Sequence, residues 1–310
     1  MQTICVIGSL NTDLVAAVDR LPGPGQTLTG REFHTFPGGK GANQAVALGR
    51  LGASVTMVGK LGDDDYGRAY LETLRKERVG TDGVTVEPGV SSGLAVIEVE
   101  ASGENSIVII PGANGTVDPG FIDRQEAVIL RSGIFLLQLE IPMPATLHAL
   151  RLLRRHGKTV ILDPAPAAPL SDEALGLAEI VTPNETELEA LAGTKAGGPD
   201  DLPRVAAALL DRGARTVVVK AGKLGAFVVR RGESVRVPGF PVGAVDTTAA
   251  GDSFNAGLAF SLARGASLPE AVRFANAVGA LSTTAMGAQA AMPSLAEAER
   301  LLASGSTRTG

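Results

Sequence analysis

The sequence predicts an α/β fold: a doubly wound, mostly parallel sheet flanked by helices on both faces, with a small β-sheet beside it. Short apolar runs closed by glycine or polar residues alternate with segments of helical period along the chain, as parallel strands joined by crossover helices require. No repeat of fixed period, low-complexity tract or linker separates two cores. Two stretches, 21–37 and 94–110, fall outside the alternation and read as extended chain.

Thr3 to Gly8 is an apolar run ending in glycine, as expected of a strand buried on both faces. Ser9-Leu-Asn-Thr-Asp13 follows at its carboxyl end, where open α/β sheets bind ligands. Asn11 and Asp13 are therefore either ligand contacts or turn residues. Leu21-Pro-Gly-Pro-Gly25 breaks the chain, and polar and apolar residues then mix up to Pro37. Gly38, Gly39 and Gly41 open a helix that carries Asn43, Val46, Ala47 and Arg50 and stops at Gly52. The glycines let backbone pass close to a ligand, and Lys40 and Asn43 can bond hydroxyl groups. This is not a Walker A loop, because His34 stands where its first glycine belongs and Gly41 follows Lys40. Nor does Gly-x-Gly-x-x-Gly follow the first strand.

Ser54 to Val58 is the next strand, and Asp64 to Arg78 a polar amphipathic helix. Leu94–Glu100, a turn, and Asn105–Ile110 read as a β-hairpin. With 21–37 it makes a small sheet, either a lid or ordinary edge strands. Helices over 118–131, 145–157 and 200–212 and strands over 133–139, 159–163, 215–219 and 226–230 continue the alternation. Glu140 lies at a strand's carboxyl end. Asn184 and Glu187 have capping-box spacing, which accounts for both without a ligand; the alternative is that they organise metal-bound water near a polyphosphate. Lys220-Ala-Gly-Lys-Leu-Gly225 is a tight turn or a nucleotide-binding loop. A long Ala-rich helix spans 268–282, and Met286–Ala290 is an irregular loop whose carbonyls can face a cation. The small, polar tail 304–310 is expected to be disordered.

At 310 residues with 45% hydrophobic content the chain can bury a large core, and we expect one domain over 1–310. A formal net charge of −5 and no basic run longer than a pair argue against nucleic acid as a partner. The single cysteine, Cys5, permits no internal disulfide and favours a reducing compartment. The N-terminus lacks a basic leader, and no apolar run approaches the roughly 18 residues that span a bilayer. The expectation is a cytoplasmic protein with no membrane partner.

The chemistry is placed at Val245-Asp-Thr-Thr-Ala-Ala-Gly-Asp-Ser-Phe254. Phe254, Leu258, Ala259 and Leu262 recur at helical spacing and Gly265 stops the run, so a helix starts at Ala249 or Ala250 with Asp252 in its first turn. The first amides of a helix have no internal acceptor, and the dipole is positive there. Ala249, Ala250 and Gly251 thus offer N–H groups to an anion. A carboxylate beside such a hole can take a proton from an alcohol during phosphoryl transfer. Equally, the small residues can serve close packing while Asp252 complements the dipole.

Taken together, Gly-Gly-Lys-Gly-Ala-Asn-Gln-Ala-Val-Ala (38–47) and Asp-Thr-Thr-Ala-Ala-Gly-Asp-Ser-Phe (246–254) resemble the two signatures of the ribokinase-like (pfkB) carbohydrate kinases. Gly8-Ser-Leu-Asn-Thr-Asp13, Gln138-Leu-Glu140, Thr182–Glu187 and Gly287-Ala-Gln289 extend the resemblance over nearly the whole chain. The resemblance implies transfer from ATP to the terminal hydroxyl of a pentose, D-ribose first, with nucleosides and other sugars as alternatives. It implies Asp252 as the base and Ala249, Ala250 and Gly251 as the anion hole. Asn11, Asp13, Gly39, Lys40, Asn43 and Glu140 match sugar-binding positions. Asn184 and Glu187 match residues near the phosphates and Mg2+ water, and Lys220, Gly222, Gly225 and Asn276 fall where ATP is held. A monovalent cation, K+, would lie behind the anion hole on Asp246 and the carbonyls of Thr248, Ser282, Ala285 and Gly287. Ala291 stands where the family often places serine, and Lys220 where it often places threonine. A lid of about 14–37 and 92–111 closing over the sugar, and a homodimer paired through it, are also implied.

Overall fold

A computed structural model describes residues 1–305. The first half of the chain runs through β1 (Ile4–Ile7), β2 (Asn11–Val18), β3 (Glu32–Gly38), α1 (Lys40–Arg50), β4 (Val55–Gly62), α2 (Asp65–Lys76), β5 (Gly80–Glu87), β6 (Gly93–Glu100) and β7 (Asn105–Ile110). It continues with α3 (Pro119–Arg124), α4 (Glu126–Ile129), β8 (Ile134–Leu137), α5 (Met143–Arg155), β9 (Thr159–Leu162), α6 (Asp172–Leu177), β10 (Ile180–Val181), α7 (Glu185–Ala192) and α8 (Leu202–Asp211). It closes with β11 (Val217–Lys220), β12 (Ala226–Arg230), β13 (Glu233–Val237), α9 (Ala250–Ala263), α10 (Leu268–Ser282) and α11 (Leu295–Ser304).

Nine strands form the main sheet in the order β13-β12-β11-β10-β9-β8-β1-β4-β5. β12 runs antiparallel to both its neighbours, β11 and β13, and the other neighbours pair in parallel. β1 is the pivot: it lies between β4 and β8, and its residues alternate between two cores. Ile4 and Val6 pack with α1, α9 and α10 on one face, while Cys5 and Ile7 pack with α5 and α8 on the other. Every side chain of β1 is therefore buried, which is why the run is apolar without alternation.

The small sheet has the order β3-β2-β6-β7. It differs from the expectation at its centre: residues 11–18 are a strand, so Asn11 and Asp13 sit on the lid itself and not in a turn. Thr35, Leu14, Val96 and Val108 are cross-strand partners and share one face, whereas Phe36, Asp13, Ala95 and Ile109 share the other.

Other boundaries also move. The helix expected over 118–131 is broken at Gln125 into α3 and α4. β5, α6, β13 and α11 are further elements, and Ser304, expected in a disordered tail, ends α11. The rest of that tail, 306–310, lies outside the described residues. Among the described residues no helix is long and apolar enough to cross a membrane.

Candidate active site

α9 starts where the motif places it. Ala249 precedes its first turn in a left-handed conformation (φ 57°), and Asp252 points inward with 4% exposure. Nearly every residue of the helix is buried because it is wedged between α1 and α10. At its N-terminus the Ala250 amide already bonds the Thr247 carbonyl at 3.2 Å. Gly251 and Asp252 follow with amides that have no acceptor within the helix.

The first turn of α1 supplies the partners of Asp252. Asn43 Nδ2 donates to Oδ2 at 3.0 Å and Gln44 Nε2 to Oδ1 at 3.1 Å. Gln44 also donates to Asp163 at 3.0 Å and accepts from Gln138 at 2.6 Å. Burial pushes Asp252 up to about 6; the Lys40 ammonium opposes this, and neighbouring Asp163 adds to it. Burial works against the charge on Lys40, but Asp252, Glu140, Asp163 and Glu187 outweigh it and hold the ammonium above its ordinary range.

Gly39 precedes α1 at φ 85°, and a Cβ there would lie 2.7 Å from the Asn11 amide, so only glycine fits between the lid strand and the helix. Glu140 holds this corner from below: its Oε2 accepts from the Lys40 amide at 2.9 Å and from Ser9 Oγ at 2.6 Å. Asp13 is pushed up to about 7 by burial and then by the Glu140 charge. Asn11 Oδ1 accepts from Asn114 Nδ2 at 2.7 Å.

A cavity of about 990 Å³ opens on the other side of Asp252. Lys40, Asp163, Asn184, Glu187, Lys220, Gly222, Gly225, Gly251, Asp252 and Asn276 line it, with Phe240, Val242 and Ala280 as an apolar wall. Asn11, Asp13, Gly39, Asn43 and Glu140 do not; they gather at the start of α1, and Lys40 and Asp252 join the two regions. Lys220 Nζ donates to Asp163 at 2.8 Å and lies 4.0 Å from Glu187. It also stands 3.4 Å from where a Cβ of Gly251 would be, at the head of α9.

Asn184 and Glu187 do form the capping box of α7. Glu187 nevertheless lines the cavity, and its burial raises its pKa while Lys220 opposes that rise. Asn276 has committed its amide protons to the carbonyls of Val237 (3.0 Å) and Pro238 (3.1 Å), leaving its carbonyl oxygen free for a ligand.

Asp246 ties together the two segments expected around a monovalent cation. Its carboxylate accepts from the Thr248 amide at 2.9 Å, from Thr248 Oγ1 at 2.6 Å and from the Gly287 amide at 2.8 Å. Burial alone would raise its pKa, but these bonds lower it. Ser282 ends α10 with its hydroxyl on the Gly279 carbonyl, Ala285 is exposed, and Ala291 is buried without a donor oxygen in its side chain. Among the described residues no group of three or more His, Cys, Asp or Glu is arranged to hold a metal ion.

Sequence reasoning missed Gln44, Asp163 and Asn114. Asp163 directly follows β9, so the strand-end rule that singled out Asn11 and Glu140 applied to it as well. Gln44 lies inside the 38–47 signature but received no role there, and Asn114 carried no such signal.

A cluster of carboxylates and amides, a buried acid at a helix N-terminus and a cavity of about 990 Å³ beyond it are the parts that a small-molecule phosphotransferase needs. The model of the pfkB family carbohydrate kinase matches residues 1–295, and the chain belongs to that family. It is 42% identical over 302 residues to the ribokinase of Bacillus subtilis, covering 97% of this chain and 100% of that one. The solved structure of a ribokinase from Thermotoga maritima superposes with a TM-score of 0.91 at 38% identity, covering 98% of this chain and 100% of the other. That of the Arabidopsis thaliana ribokinase complexed with ribose and ATP gives 0.92 at 34% identity, covering 97% and 98%. Within the family the chain is a ribokinase-type phosphotransferase, an ATP-dependent sugar kinase.

Proposed function

We propose that the protein transfers the γ-phosphoryl group of ATP to the 5-hydroxyl of D-ribose, giving D-ribose 5-phosphate and ADP. The observation that carries this reading is the place of Asp252: its buried carboxylate stands between the polar cluster of Asn11, Asp13, Asn43 and Glu140 and the 990 Å³ cavity. Asp252 accepts the proton of the 5-hydroxyl as the sugar oxygen bonds to the γ-phosphorus and the bond to the β–γ bridging oxygen breaks. Ala249, Ala250 and Gly251 form the anion hole, in which the Gly251 amide and the Lys220 ammonium meet the charge on the moving group. Asn11, Asp13, Gly39, Lys40, Asn43 and Glu140 hold the sugar; Asn184, Glu187, Lys220, Gly222, Gly225 and Asn276 hold ATP.

Mg2+ bound to the phosphates would neutralise part of their charge. Glu187 suits it through water, since carboxylate lone pairs remain beyond its capping bonds and Mg2+ keeps much of its hydration. Asp246 and the carbonyls of Thr248, Ser282, Ala285 and Gly287 are hard oxygen donors that fit K+, which would add positive charge behind the anion hole. Without a hydroxyl at Ala291 the site has one donor fewer.

The lid supplies the remaining parts. Its Asp13 face, with Phe36 and Ile109, covers the sugar and excludes water, the competing acceptor. Its other face exposes Val96 (38%) and Val108 (60%) and is the surface through which two subunits pair as a homodimer. The protein works in the cytoplasm.

The test is incubation with Mg-ATP and ribose, deoxyribose, fructose, adenosine or inosine, with and without K+, and chromatography of ADP and phosphorylated product. Preferential conversion of ribose, raised by K+, is expected. Preference for a nucleoside would leave the phosphoryl-transfer site standing and overturn the acceptor.

A further inference from the structure

Gln289 has no role in the site as described so far. It lies between α10 and α11, is 5% exposed, and uses both amide protons: Nε2 donates to Asn43 Oδ1 at 3.1 Å and to the Tyr70 hydroxyl at 2.9 Å. The directions of these bonds are forced. An ionised Asp252 only accepts, so Asn43 must turn its nitrogen to it, leaving Oδ1 outward as an acceptor. Tyr70 gives its proton to the Gly38 carbonyl at 2.5 Å, so its oxygen also accepts. Only a side chain with two donors on one atom satisfies both.

The backbone beneath Gln289 is fixed as well. Arg50 donates to the carbonyls of Gln289 and Met292, and Glu77 holds the same guanidinium through two bonds of 2.9 and 2.7 Å. The amide therefore ends a rigid arm, as a supporting group for a site must.

We propose that Gln289 is a positioning residue for the transfer reaction. It locks Asn43 in the orientation that faces Asp252, and through Tyr70 it ties that orientation to Gly38, where the lid strand β3 enters the site. With Oδ1 and one N–H engaged, Asn43 keeps a single N–H for a sugar hydroxyl. Without Gln289 its carboxamide is free to turn over and set its oxygen against the carboxylate. The inference rests on the reading of Asp252 as the base and Asn43 as a sugar contact.

Gln289→Met keeps the length of the side chain and removes both donors. The KM for D-ribose should rise roughly 5- to 50-fold, the scale of one lost buried hydrogen bond and its orientation. The KM for ATP should stay at the wild-type value. The acid limb of kcat/KM should move to higher pH, because Asp252 loses a donor that favours its charged form. Lys40 and Asp163, the charged groups that also face Asp252, are unchanged in this variant. Tyr70→Phe spares the bond to Asn43 and should give the same changes at smaller size. A merely structural role would lower the melting temperature or the active fraction and leave the ribose KM and the acid limb in place; that result overturns the proposal. If Gln289→Met does not fold, wild-type ribose KM and acid limb in Tyr70→Phe overturn it instead. Asp252→Asn, assayed alongside, separates the two levels: full activity there removes the underlying reading, whereas its loss beside a wild-type Gln289→Met removes only this inference.

Discussion

Asp252 would be almost fully ionised and weakly basic in water; burial brings it to about 6, nearer the pH at which a general base is effective. Asp13 rises to about 7 for the same first cause, with Glu140 as the second. A carboxyl raised above its unfolded value costs the fold stability as it ionises. The penalty is absent below the unfolded pKa of roughly 4 and is complete above the folded value. Asp13→Asn should therefore raise the melting temperature of the free protein at about pH 8, and the gain should shrink towards about pH 4. The same substitution should weaken ribose binding. Thermal melts across that range check the sign, and a gain that grows on acidification would contradict it. Asp252, Lys40 and Glu140 were legible because their motifs are local or strand-terminal. Gln44 and Gln289 also lie in motifs, but their contacts were not legible: Gln44 bonds Asp252 from 208 residues away and Gln289 bonds Asn43 from 246.

At the scale of elements, the site depends on α9 being held in place. Gly257 lets α10 pack against it closely, since a Cβ there would lie 3.0 Å from Ala275 Cα and 3.1 Å from the Val278 side chain. Gly257→Val should cost about 1–3 kcal/mol, the usual penalty of overpacking, and lower kcat by shifting Asp252. An unchanged urea midpoint would show that the two helices have slack. Long periodic elements such as α9 and α10 could be read from the chain, α10 to its boundaries. β2 could not, because its apolar residues Leu14 to Ala17 are only partly buried and their neighbours come from residues 32–38 and 93–100. α11 was missed although Ser294 and Glu297 spell its capping box. The alternation that predicted the main sheet worked because its inner strands are buried on both faces, and it missed the more exposed edge strands β5 and β13. The lid strands are not, so pairing between distant segments decides them.

At the scale of the molecule, the lid leaves an apolar edge and face exposed. β7 is an edge strand with Ile107, Val108, Ile109 and Ile110 between 40% and 60% exposed, a surface that proteins normally cover. If the face with Val96, Val108 and Ile110 pairs two subunits, the wild type should sediment at twice 31.6 kDa and the double variant Val108→Glu, Ile110→Glu at the monomer mass. A wild-type monomer at micromolar concentration would remove the dimer. The proposed transfer of the ribose 5-hydroxyl proton to Asp252 can be tested more directly. Initial rates of D-ribose 5-phosphate and ADP formation would be measured for the wild type and Asp252→Asn at saturating Mg-ATP. In Asp252→Asn kcat should fall by about 10² to 10⁴ with little change in ribose affinity. Wild-type turnover in Asp252→Asn would contradict the proton transfer.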